Sequence, residues 1–371
     1  MSPTALLIYR FVVILIGLAL TPILFHHFSR LPKSKKTYGS YPTLSVIIPA
    51  RNEQKNLPLL LQDLQRQSVM PYEIICVDDD STDATAEVAK KHGAEVVFLK
   101  DKPVGWMGKT WACQNGANTA TGELLLFLDA DVRLGKDALQ RLLEQHANCG
   151  CTVSVQLYHK TEKAYEQFSL LFNLVQVAAN GATLAAPLNV GLYGPVILIS
   201  RADYELIGGH ESVKNQLVED MALAHRLKKA GLTYRLFMGD QELSYRMYSG
   251  GFRDLFQGWI KNTAAGAAQT SAKVFWMVFF WIGSLTSVPI QIIRYAGEKN
   301  IPWVLVFSLL YFVWVYLLRL LSKKIGHFSF WAILFYPILI FVFLLIFLIS
   351  LLKKVLGLKV IWKGRCITAD K

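Results

Sequence analysis

Acidic side chains are nearly absent from both ends of this 371-residue chain, although its middle contains many of them. Residues 1–36 contain five Lys or Arg and no Asp or Glu, and residues 272–371 contain twelve against Glu298 and Asp370. The surplus behind the formal net charge of +12 therefore flanks the apolar segments, a pattern typical of membrane edges that meet anionic lipid. A nucleic-acid-binding protein would carry this surplus on its folded domain, so we predict no nucleic-acid partner.

Cysteine is scarce as well, with five residues in the whole chain. They form no CxxC pair and no cluster with histidine, which excludes the usual structural zinc motifs. Cys149 and Cys151 are separated by one glycine and are too isolated in the sequence to indicate a metal site. We therefore expect all five cysteines to be reduced thiols in the cytosol.

Long uncharged runs occur at both ends of the chain. Residues 4–28 are almost continuously apolar apart from Arg10 and two histidines. The runs 274–293, 301–318 and 328–352 each approach or exceed the roughly 20 residues that cross a bilayer. No small-residue cleavage motif follows the first run, and basic residues do, so we predict an uncleaved anchor with a cytosolic C-terminal end rather than a signal peptide. The chain is thus predicted to be a multi-pass protein of the cell membrane whose globular domain faces the cytosol.

The C-terminal runs leave a conflict over topology. Three full crossings after a cytosolic domain would place the basic segment 353–365 outside, whereas the positive-inside tendency places it in the cytosol. One resolution is that residues 274–293, which are interrupted by Ser284 and Pro289, enter the membrane without crossing it. The sequence leaves both alternatives open.

A helical stripe precedes the first of these runs. Apolar residues there follow the spacing i, i+3, i+4, i+7 and i+8, namely Phe252, Leu255, Phe256, Trp259 and Ile260. Such a stripe either packs on a core or lies on a membrane surface, and its position beside a membrane run favours an interfacial helix. The predicted organisation is an N-terminal transmembrane anchor at 1–36, a globular domain at 37–250, an interfacial amphipathic helix at 251–271, a transmembrane bundle at 272–353 and a basic cytosolic tail at 354–371.

Strands that alternate with helices are predicted in the globular domain. Short β-rich runs lie at 44–48, 74–77, 96–99 and 124–128, with helical patterns between the first three, and Pro49 ends the first run. Runs that are continuously apolar, rather than alternating, indicate a parallel sheet covered by helices on both faces. We therefore predict the α/β class, with a mostly parallel, Rossmann-like sheet.

Acidic and small polar residues follow three of these strands. They are Pro49-Ala50-Arg51-Asn52-Glu53 after the first, Asp78-Asp79-Asp80 after the second and Asp129-Ala130-Asp131 after the fourth. Because ligands bind at the carboxyl ends of the strands in such sheets, we expect the three segments to share one site. A single acidic cluster is more often a helix cap or a solvated turn, but three at one edge indicate function.

Each acidic cluster suits a different part of a nucleotide-sugar reaction. Carboxylates at Asp129 and Asp131 suit a hard divalent cation, Mn²⁺ or Mg²⁺, which neutralises the charge of a diphosphate leaving group. The cluster around Asp79 suits hydrogen bonds from ring N–H groups and sugar hydroxyls, because carboxylates are acceptors. Glu219 and Asp220 begin a predicted helix, where they either complement the helix dipole or supply a general base, and the other clusters favour the base.

An apolar stretch at residues 165–187 is unusual for a soluble domain. The ordinary interpretation is a core helix. The alternative hypothesis is that Phe168 and Phe172 face the membrane and form one wall of a groove for a lipid.

These motifs together resemble the nucleotide-diphospho-sugar transferases of family 2, which have the GT-A fold. The resemblance runs from about Leu44 to Lys261 and is weaker beyond. It is carried by residues 48–53, Gly105-Trp106-Met107-Gly108-Lys109, Asp129-Ala130-Asp131, residues 154–159, Gly208-Gly209-His210, Arg246-Met247-Tyr248 and Trp362-Lys363-Gly364-Arg365. Within the family, the chain is most similar to enzymes that modify carotenoids, and more distantly to ceramide and hopanoid glucosyltransferases.

The resemblance implies transfer of one hexose, glucose from UDP-glucose, to a membrane lipid, with inversion at the anomeric carbon. It implies nucleotide-sugar contacts from Pro49, Ala50, Arg51, Glu53, Asp78, Asp79, Lys109 and Asp129. It also implies metal ligation by Asp131 with Asp129, catalysis by Asp220 with Glu219, and acceptor-side roles for His210, Gln257, Trp259, Trp362 and Arg365. A surface lysine remains the alternative for Lys109, and a packed loop histidine for His210.

Two departures from the family pattern bear on these roles. Asp80 stands where the family usually has glycine, and the Q-x-x-R-W element is reduced to Gln257-Gly258-Trp259. The second departure argues against a long-polymer product. A carotenoid carboxylic acid is the first acceptor by resemblance, and the alternatives are a sphingolipid, a glycerolipid, a polyprenyl phosphate, or a non-catalytic protein that binds a nucleotide sugar. The sequence does not indicate the oligomeric state.

Overall fold

The computed structural model describes residues 3–34, 41–358, 360–362 and 365–367, and the chain forms two compact units. The sheet unit comprises residues 29–160, 191–247 and the chain from 357 onward. The helical unit comprises the chain up to residue 28 together with 161–190 and 248–356. Residues 35–40 at the predicted start of the globular domain, and residues 359, 363, 364 and 368–371 of the predicted basic tail, lie outside the described residues.

The sheet unit is built on a seven-stranded sheet. The strands are β1 (Leu44–Ala50), β2 (Glu73–Asp79), β3 (Glu95–Leu99), β4 (Leu124–Leu128), β6 (Thr152–Gln156), β8 (Val196–Ser200) and β9 (Tyr234–Met238). Their order across the sheet is β3-β2-β1-β4-β8-β6-β9. The helices are α2 (Leu57–Leu64), α3 (Thr85–Lys91), α4 (Gly108–Thr119), α5 (Ala138–Cys149), α7 (Arg201–Leu206) and α8 (Glu219–Lys229), with a 3₁₀ turn at His210–Val213. The first four strands pair in parallel, and β8 is antiparallel to both β4 and β6. The predicted α/β class with a mostly parallel sheet is confirmed.

Strand β1 continues through Pro49, so the prediction that this proline ends the strand is wrong. Pairing with β2 runs to Ala50 opposite Asp78, whereas the pairing with β4 ends at Ile47. Beyond Ile47 the strand has a neighbour on one side only. A missing backbone N–H is tolerated there for the same reason that it is tolerated on edge strands.

A smaller sheet contains the strand that follows Asp129-Ala130-Asp131, which we call the DxD motif. It contains β5 (Val132–Leu134), β10 (Leu243–Tyr245) and β7 (Tyr158–Lys160). Strand β10 lies between the other two, antiparallel to β5 and parallel to β7. This register places Tyr245 opposite Val132, the residue directly after Asp131.

The segment that links the first helix to the sheet is fixed against strand β9. The backbone N–H of Met238 donates to the Ser29 carbonyl at 2.7 Å, and that of Leu31 donates to the Met238 carbonyl at 3.2 Å. The guanidinium of Arg141, which is 1% exposed, donates to the carbonyls of Leu31 (2.6 Å) and Pro32 (2.9 Å). The linker is therefore part of the folded sheet unit.

The helical unit contains the apolar helices and an insertion from the middle of the chain. The helices are α1 (Pro3–Leu24), α6 (Ser169–Asn180), α9 (Phe252–Gln269), α10 (Ala272–Gly297), α11 (Ile301–Ile325), α12 (Phe330–Leu334) and α13 (Tyr336–Val355), with a 3₁₀ turn at Ala164–Phe168 and the short strand β11 (Gly326–His327). By length and composition α10, α11 and α13 are able to cross a membrane, and the apolar part of α1 is the shorter stretch Ile8–Leu24. Helix α10 is continuous through Pro289, so the interruption considered for residues 274–293 does not break it.

Parts of two apolar surfaces that the sequence left open are buried within the helical unit, although Phe252 of the α9 stripe is 46% exposed. The α9 stripe buries Leu255, Trp259 and Ile260 to 6% exposure or less. Trp259 stacks on Phe172 of α6, with ring centroids 4.6 Å apart, and Phe172 also contacts Phe343 of α13 at 4.9 Å. Phe172 is 2% exposed, so it is a core residue of this unit and not the wall of an open groove.

Cys149 and Cys151 form a disulfide, so the expectation of five reduced thiols is wrong for this pair. Gly150 between them adopts a left-handed conformation (φ 57°) at the end of α5, which turns the chain back toward β6. Cys76 and Cys113 are free and buried. The tail strands β12 (Val360–Trp362) and β13 (Arg365–Ile367) pair antiparallel.

Candidate active site

The acidic segments lie at the carboxyl ends of adjacent parallel strands. β1 leads into Arg51 and Glu53, β2 ends at Asp79, and β4 is followed by Asp129 and Asp131. Strand β1 lies between β2 and β4 in the sheet, so the three segments are neighbours. Strand ends are where such sheets bind ligands, which makes this edge the candidate active site.

Lys109 connects the DxD motif to the start of helix α8. Its ammonium nitrogen lies 2.7 Å from Asp129 Oδ1 and 3.1 Å from Glu219 Oε1. It also lies 3.4 Å from the Gly194 carbonyl. Burial acts to lower the pKa of Lys109, but Asp129 and Glu219 outweigh it and hold that pKa well above the ordinary value. The lysine is therefore a permanent cation between two carboxylates.

Asp220 lies beside this group with both carboxylate oxygens engaged by backbone donors. Gly194 N–H donates to Oδ2 at 2.9 Å, and Met221 N–H donates to Oδ1 at 2.8 Å. Burial, together with the neighbouring charge of Glu219, raises the pKa of Asp220 to about 7, although Lys109 acts in the opposite direction. A carboxyl group with a pKa near neutrality exchanges a proton readily at physiological pH, which is the property required of a general base.

Two buried tyrosines, to which the sequence assigned no role, lie near the acids. Burial raises the pKa of Tyr245, and the charges of Asp131 and Asp129 raise it further. Burial and the nearby Tyr245 and Asp220 raise the pKa of Tyr193, whose hydroxyl has no hydrogen-bond partner among the described residues. The only sequence signal for Tyr245 was its position directly before the Arg246-Met247-Tyr248 motif.

Ser154, which lies in the 154–159 motif, fixes the backbone beside Tyr193. Ser154 Oγ accepts a hydrogen bond from Tyr193 N–H at 2.7 Å and donates to the Tyr193 carbonyl at 3.0 Å. This pair holds the chain directly before Gly194, whose N–H binds Asp220. Ser154 therefore positions the segment that supports the candidate base.

Asp129 and Asp131 fit a divalent cation that shares its remaining ligands with a substrate. The charges of both carboxylates raise the pKa of Tyr245, so both lie in the neighbourhood of that residue. Within residues 3–34, 41–358 and the two tail strands, no group of three or more His, Cys, Asp or Glu side chains is arranged to hold a metal. Mg²⁺ in phosphate-handling sites is commonly held by one or two carboxylates plus phosphate oxygens. The donor set therefore suits a metal bound together with a diphosphate.

The loops after β1 and β2 form one hydrogen-bonded unit. Arg51 Nη1 donates to the backbone carbonyls of Asp79 (2.5 Å) and Asp80 (3.0 Å). Glu53 N–H donates to Thr85 Oγ1 at 2.8 Å. The predicted nucleotide-binding residues Pro49, Ala50, Arg51, Glu53, Asp78 and Asp79 are all in or beside these loops, and Asp78 and Asp79 are 5% and 6% exposed.

Asp80 adopts a left-handed backbone conformation, with φ at 57°. Glycine adopts this conformation without a Cβ clash, aspartate tolerates it, and alanine is strained there. We expect Asp80→Ala to lower the free energy of unfolding by about 1 kcal/mol, and Asp80→Gly to leave it unchanged or higher. Thermal unfolding of the purified full-length variants tests this order. Equal stability of the two variants would contradict it.

The predicted acceptor-side residues belong to both units. His210 is 2% exposed, with Nδ1 at 2.9 Å from the Tyr204 hydroxyl and its ring against Phe127, and burial lowers its pKa to about 3. Trp259 donates from Nε1 to Ser169 Oγ at 3.3 Å inside the helical unit, and Gln257 is partly exposed on the same helix. Trp362 and Arg365 are paired positions of strands β12 and β13.

The chain is similar to known proteins over most of its length. Residues 45–182 match the family model described as glycosyl transferase family 2. The 4,4'-diaponeurosporenoate glycosyltransferase of Staphylococcus aureus (strain USA300) is 33% identical over 375 residues, which cover 97% of each chain. The enzyme of the same name from Staphylococcus haemolyticus (strain JCSC1435) is 37% identical over 254 residues, 66% of this chain and 68% of that protein.

A solved structure shows the same fold. The mannosyltransferase PcManGT from Pyrobaculum calidifontis, solved with GDP-Man and Mn²⁺, superposes with a TM-score of 0.52 at 16% identity and covers 88% of this chain and 99% of its own. The GT-A fold is therefore common to both proteins. With the family model and a relative that spans nearly the whole chain, these findings establish that this protein is a glycosyltransferase and belongs to glycosyl transferase family 2.

Proposed function

We propose that this enzyme transfers one hexose, glucose from UDP-glucose, to an amphiphilic membrane lipid, and that the acceptor is a carotenoid carboxylic acid. The observation that carries the proposal is the whole-length likeness to 4,4'-diaponeurosporenoate glycosyltransferases, whose name specifies an acceptor of that kind. A lipid acceptor agrees with the presence of three apolar helices of membrane-spanning length among the described residues. Transfer of a single hexose agrees with the shortened Gln257-Gly258-Trp259 element.

The donor is proposed to bind across the β1, β2 and β4 loops. Glu53 and Asp79 accept hydrogen bonds from the nucleoside, and Asp129 and Asp131 hold Mn²⁺ or Mg²⁺ together with the diphosphate. A bound cation there supplies Lewis-acid stabilisation of the charge that develops on the leaving diphosphate. The mannosyltransferase with a similar fold was solved with a nucleotide sugar and Mn²⁺, which supports this arrangement. Lys109 adds a fixed positive charge beside Asp129 and orients the donor's phosphates.

The acceptor is proposed to approach Asp220. With an alcohol acceptor, the Asp220 carboxylate takes the proton of the attacking oxygen, whereas a carotenoid carboxylate is already ionised and attacks without losing a proton. The backbone N–H groups of Gly194 and Met221 hold the Asp220 carboxylate in one orientation. Attack on the face opposite the leaving diphosphate inverts the anomeric carbon. The domain is proposed to face the cytosol, because nucleotide sugars are available there and basic residues follow helix α1.

Mass spectrometry of lipid products tests the proposal. Detergent-purified full-length protein is incubated with UDP-glucose, Mn²⁺ or Mg²⁺, and either a total lipid extract or a carotenoid carboxylic acid. The expected product is the acceptor plus one hexose, and it should disappear with a chelator. A hexose-shifted sphingolipid, glycerolipid or polyprenyl phosphate would replace the proposed acceptor. Binding of UDP-glucose without a shifted lipid in any arm would overturn lipid glycosylation and favour a non-catalytic binding role.

The effect of Asp220→Asn should depend on the acceptor. An alcohol acceptor needs a base, so we expect turnover to fall by roughly 10²–10⁴-fold; a carboxylate is already ionised and should lose far less. With an alcohol, wild-type turnover should rise as the pH increases through about 7, where Asp220 loses its proton, and the variant should lack this rise.

Stability provides the control for Asp220→Asn. The raised pKa means that the folded wild type binds more protons than the unfolded chain between about pH 4 and 7, so its stability falls over that range as pH rises. The stability of the variant relative to the wild type should therefore increase between about pH 4 and pH 7. A pH profile that still rises through 7 in Asp220→Asn would rule out Asp220 as the base.

A further inference from the structure

One end of the helical unit is defined by three helix termini. Helices α1 and α10 are antiparallel, because Thr21 Oγ1 accepts from Trp281 Nε1 at 3.1 Å near one end and Arg10 Nη1 donates to the Tyr295 hydroxyl at 3.3 Å near the other. Helix α11 runs back along α10, with Tyr295 stacked on Phe307. The C-terminus of α1, the N-terminus of α10 and the C-terminus of α11 therefore lie at the same end, which we name the linker end because the linker to the sheet unit follows α1.

After α11 reaches the linker end, the chain turns and runs back along the same helix. Arg319 Nη1 donates to the Phe328 carbonyl at 3.0 Å, and the Tyr311 hydroxyl donates to the Leu334 carbonyl. Phe328 thus contacts α11 at Arg319, near the C-terminus of that helix, and Leu334 contacts it at Tyr311, closer to the middle. The chain therefore runs antiparallel to α11 between these two contacts. Tyr311 is fourteen residues before the end of α11, about 21 Å along the helix. Helix α12 therefore penetrates deep into the thickness that α11 spans.

Helix α13 begins at that depth and returns toward the linker end. Its first residue, Tyr336, stacks on Tyr311 with ring centroids 4.8 Å apart. Near its end, Ser350 Oγ donates to the Ile260 carbonyl at 2.6 Å and accepts from Ala264 N–H at 3.0 Å. Both partners belong to α9, which ends two residues before Ser271, the N-cap of α10. Helix α13 thus finishes beside the segment that leads into α10 at the linker end.

Lys354 strengthens the assignment of this end. Its ammonium group donates to the Ala264 carbonyl at 3.4 Å, and Lys353 precedes it. Ala264 is five residues, about 8 Å, from the last residue of α9. Lysines at the end of an apolar helix reach toward lipid headgroups, so the end of α13 marks a membrane surface, and the contacts identify that surface as the linker side.

We propose that α12 and α13 form a re-entrant hairpin that enters and leaves the membrane on the linker side, so that α1, α10 and α11 are the crossings and the C-terminal tail emerges on the side where the linker begins. The outer face of α13 then contacts lipid acyl chains. That face is apolar and exposed: it comprises Ile338, Phe341, Leu344, Leu345, Leu348 and Leu352. The arrangement removes the topology conflict, because the basic tail no longer requires a third C-terminal crossing. The hairpin proposal does not depend on which reaction the enzyme catalyses.

Cysteine accessibility in the full-length protein tests the hairpin. In a Cys366→Ser background, single cysteines are placed at Leu358 after α13, at Glu298 in the exposed α10–α11 connection, and at Glu87 on the surface of the sheet unit. An impermeant maleimide is applied to intact and to permeabilised cells, and each signal is normalised to labelling in detergent. Leu358→Cys should behave as Glu87→Cys does, and Glu298→Cys should show the opposite sidedness.

Labelling of Leu358→Cys with the same sidedness as Glu298→Cys would overturn the hairpin and make α13 a full crossing. A second experiment locates the C-terminus independently, in case Leu358→Cys reacts too weakly with the maleimide to be measured. The full-length chain is fused at its C-terminus to alkaline phosphatase, which is active only outside the cell, or to a fluorescent protein that matures inside it. The hairpin requires the fusion reporter to be on the same side as Glu87→Cys. The opposite side contradicts the hairpin whether or not the enzyme is active.

Discussion

Replacement of Asp131 by alanine is expected to reduce hexose transfer by about 10³-fold or more while leaving the fold intact. A cation that stabilises a developing diphosphate charge contributes several kcal/mol, and each 1.36 kcal/mol corresponds to a factor of ten. Asp129 is already paired with Lys109 at 2.7 Å, so it alone would hold a cation poorly. Initial rates with UDP-glucose and the lipid acceptor, measured over a range of Mn²⁺ concentrations, provide the test.

Glu87→Gln is the matched control for Asp131→Ala, because Glu87 is an exposed acid on α3 in the same unit. Its transfer rate should equal that of the wild type. Higher Mn²⁺ should restore part of the Asp131→Ala rate if the loss is one of metal affinity. An Asp131→Ala protein that transfers hexose at the wild-type rate in a chelator would show that the DxD motif holds no catalytic metal.

Arg141→Met is expected to produce the largest loss of stability. Besides the linker carbonyls, the buried guanidinium binds Asp240 at 2.7 Å and Glu242 at 3.2 Å, so one substitution leaves several acceptors unpaired. Removing one partner of a buried ion pair costs about 3–5 kcal/mol, and we expect the lower figure because both carboxylates are partly exposed. About 3 kcal/mol corresponds to a fall of roughly 6–12 °C in the thermal midpoint.

The acid dependence of stability separates this role from simple packing. Burial acts to raise the pKa of Asp240, but hydrogen bonds and the charge of Arg141 lower it overall. The stabilisation is therefore present above the ordinary aspartate pKa of about 4 and is lost as the pH falls below it. Arg141→Met should lack this acid-dependent component. Arg294→Met, which removes an exposed i,i+4 pair with Glu298, should leave the midpoint almost unchanged.

The sheet and its acidic edge could be predicted because their signals are local. Continuous apolar runs identified the first four strands, with β4 at its observed bounds, and the residues after β1, β2 and β4 identified the site edge. The antiparallel β8 could not be predicted, because strand direction depends on connections far along the chain. Lys109 forms ion pairs with Asp129, 20 positions along the chain, and with Glu219, 110 positions along it. The spacing of apolar residues in the sequence does not indicate such contacts.

The helical unit shows where the sequence pattern was ambiguous. The α9 stripe fitted both a core helix and an interfacial helix, and spacing alone does not distinguish a protein neighbour from lipid. The apolar run 165–187 contained the core helix α6, but its partners in α9 and α13 are about 90 and 170 residues away. In the sheet unit, the role of Arg141 could not be predicted, because a single arginine within a helical pattern is ordinarily a surface residue.

The shared ammonium group of Lys109 has a consequence for how this protein tolerates change. One cation neutralises both Asp129 and Glu219, and Glu219 in turn raises the pKa of Asp220. Substitutions within such a network are not additive, because each alters the charge that its neighbours experience. A lineage that loses Lys109 therefore inherits the half-buried Asp129 and the buried Glu219 without their counter-charge. Once either acid has changed in response, reversal at Lys109 alone no longer restores the ancestral site. These four residues are subject to epistasis and should be exchanged, if at all, as a set.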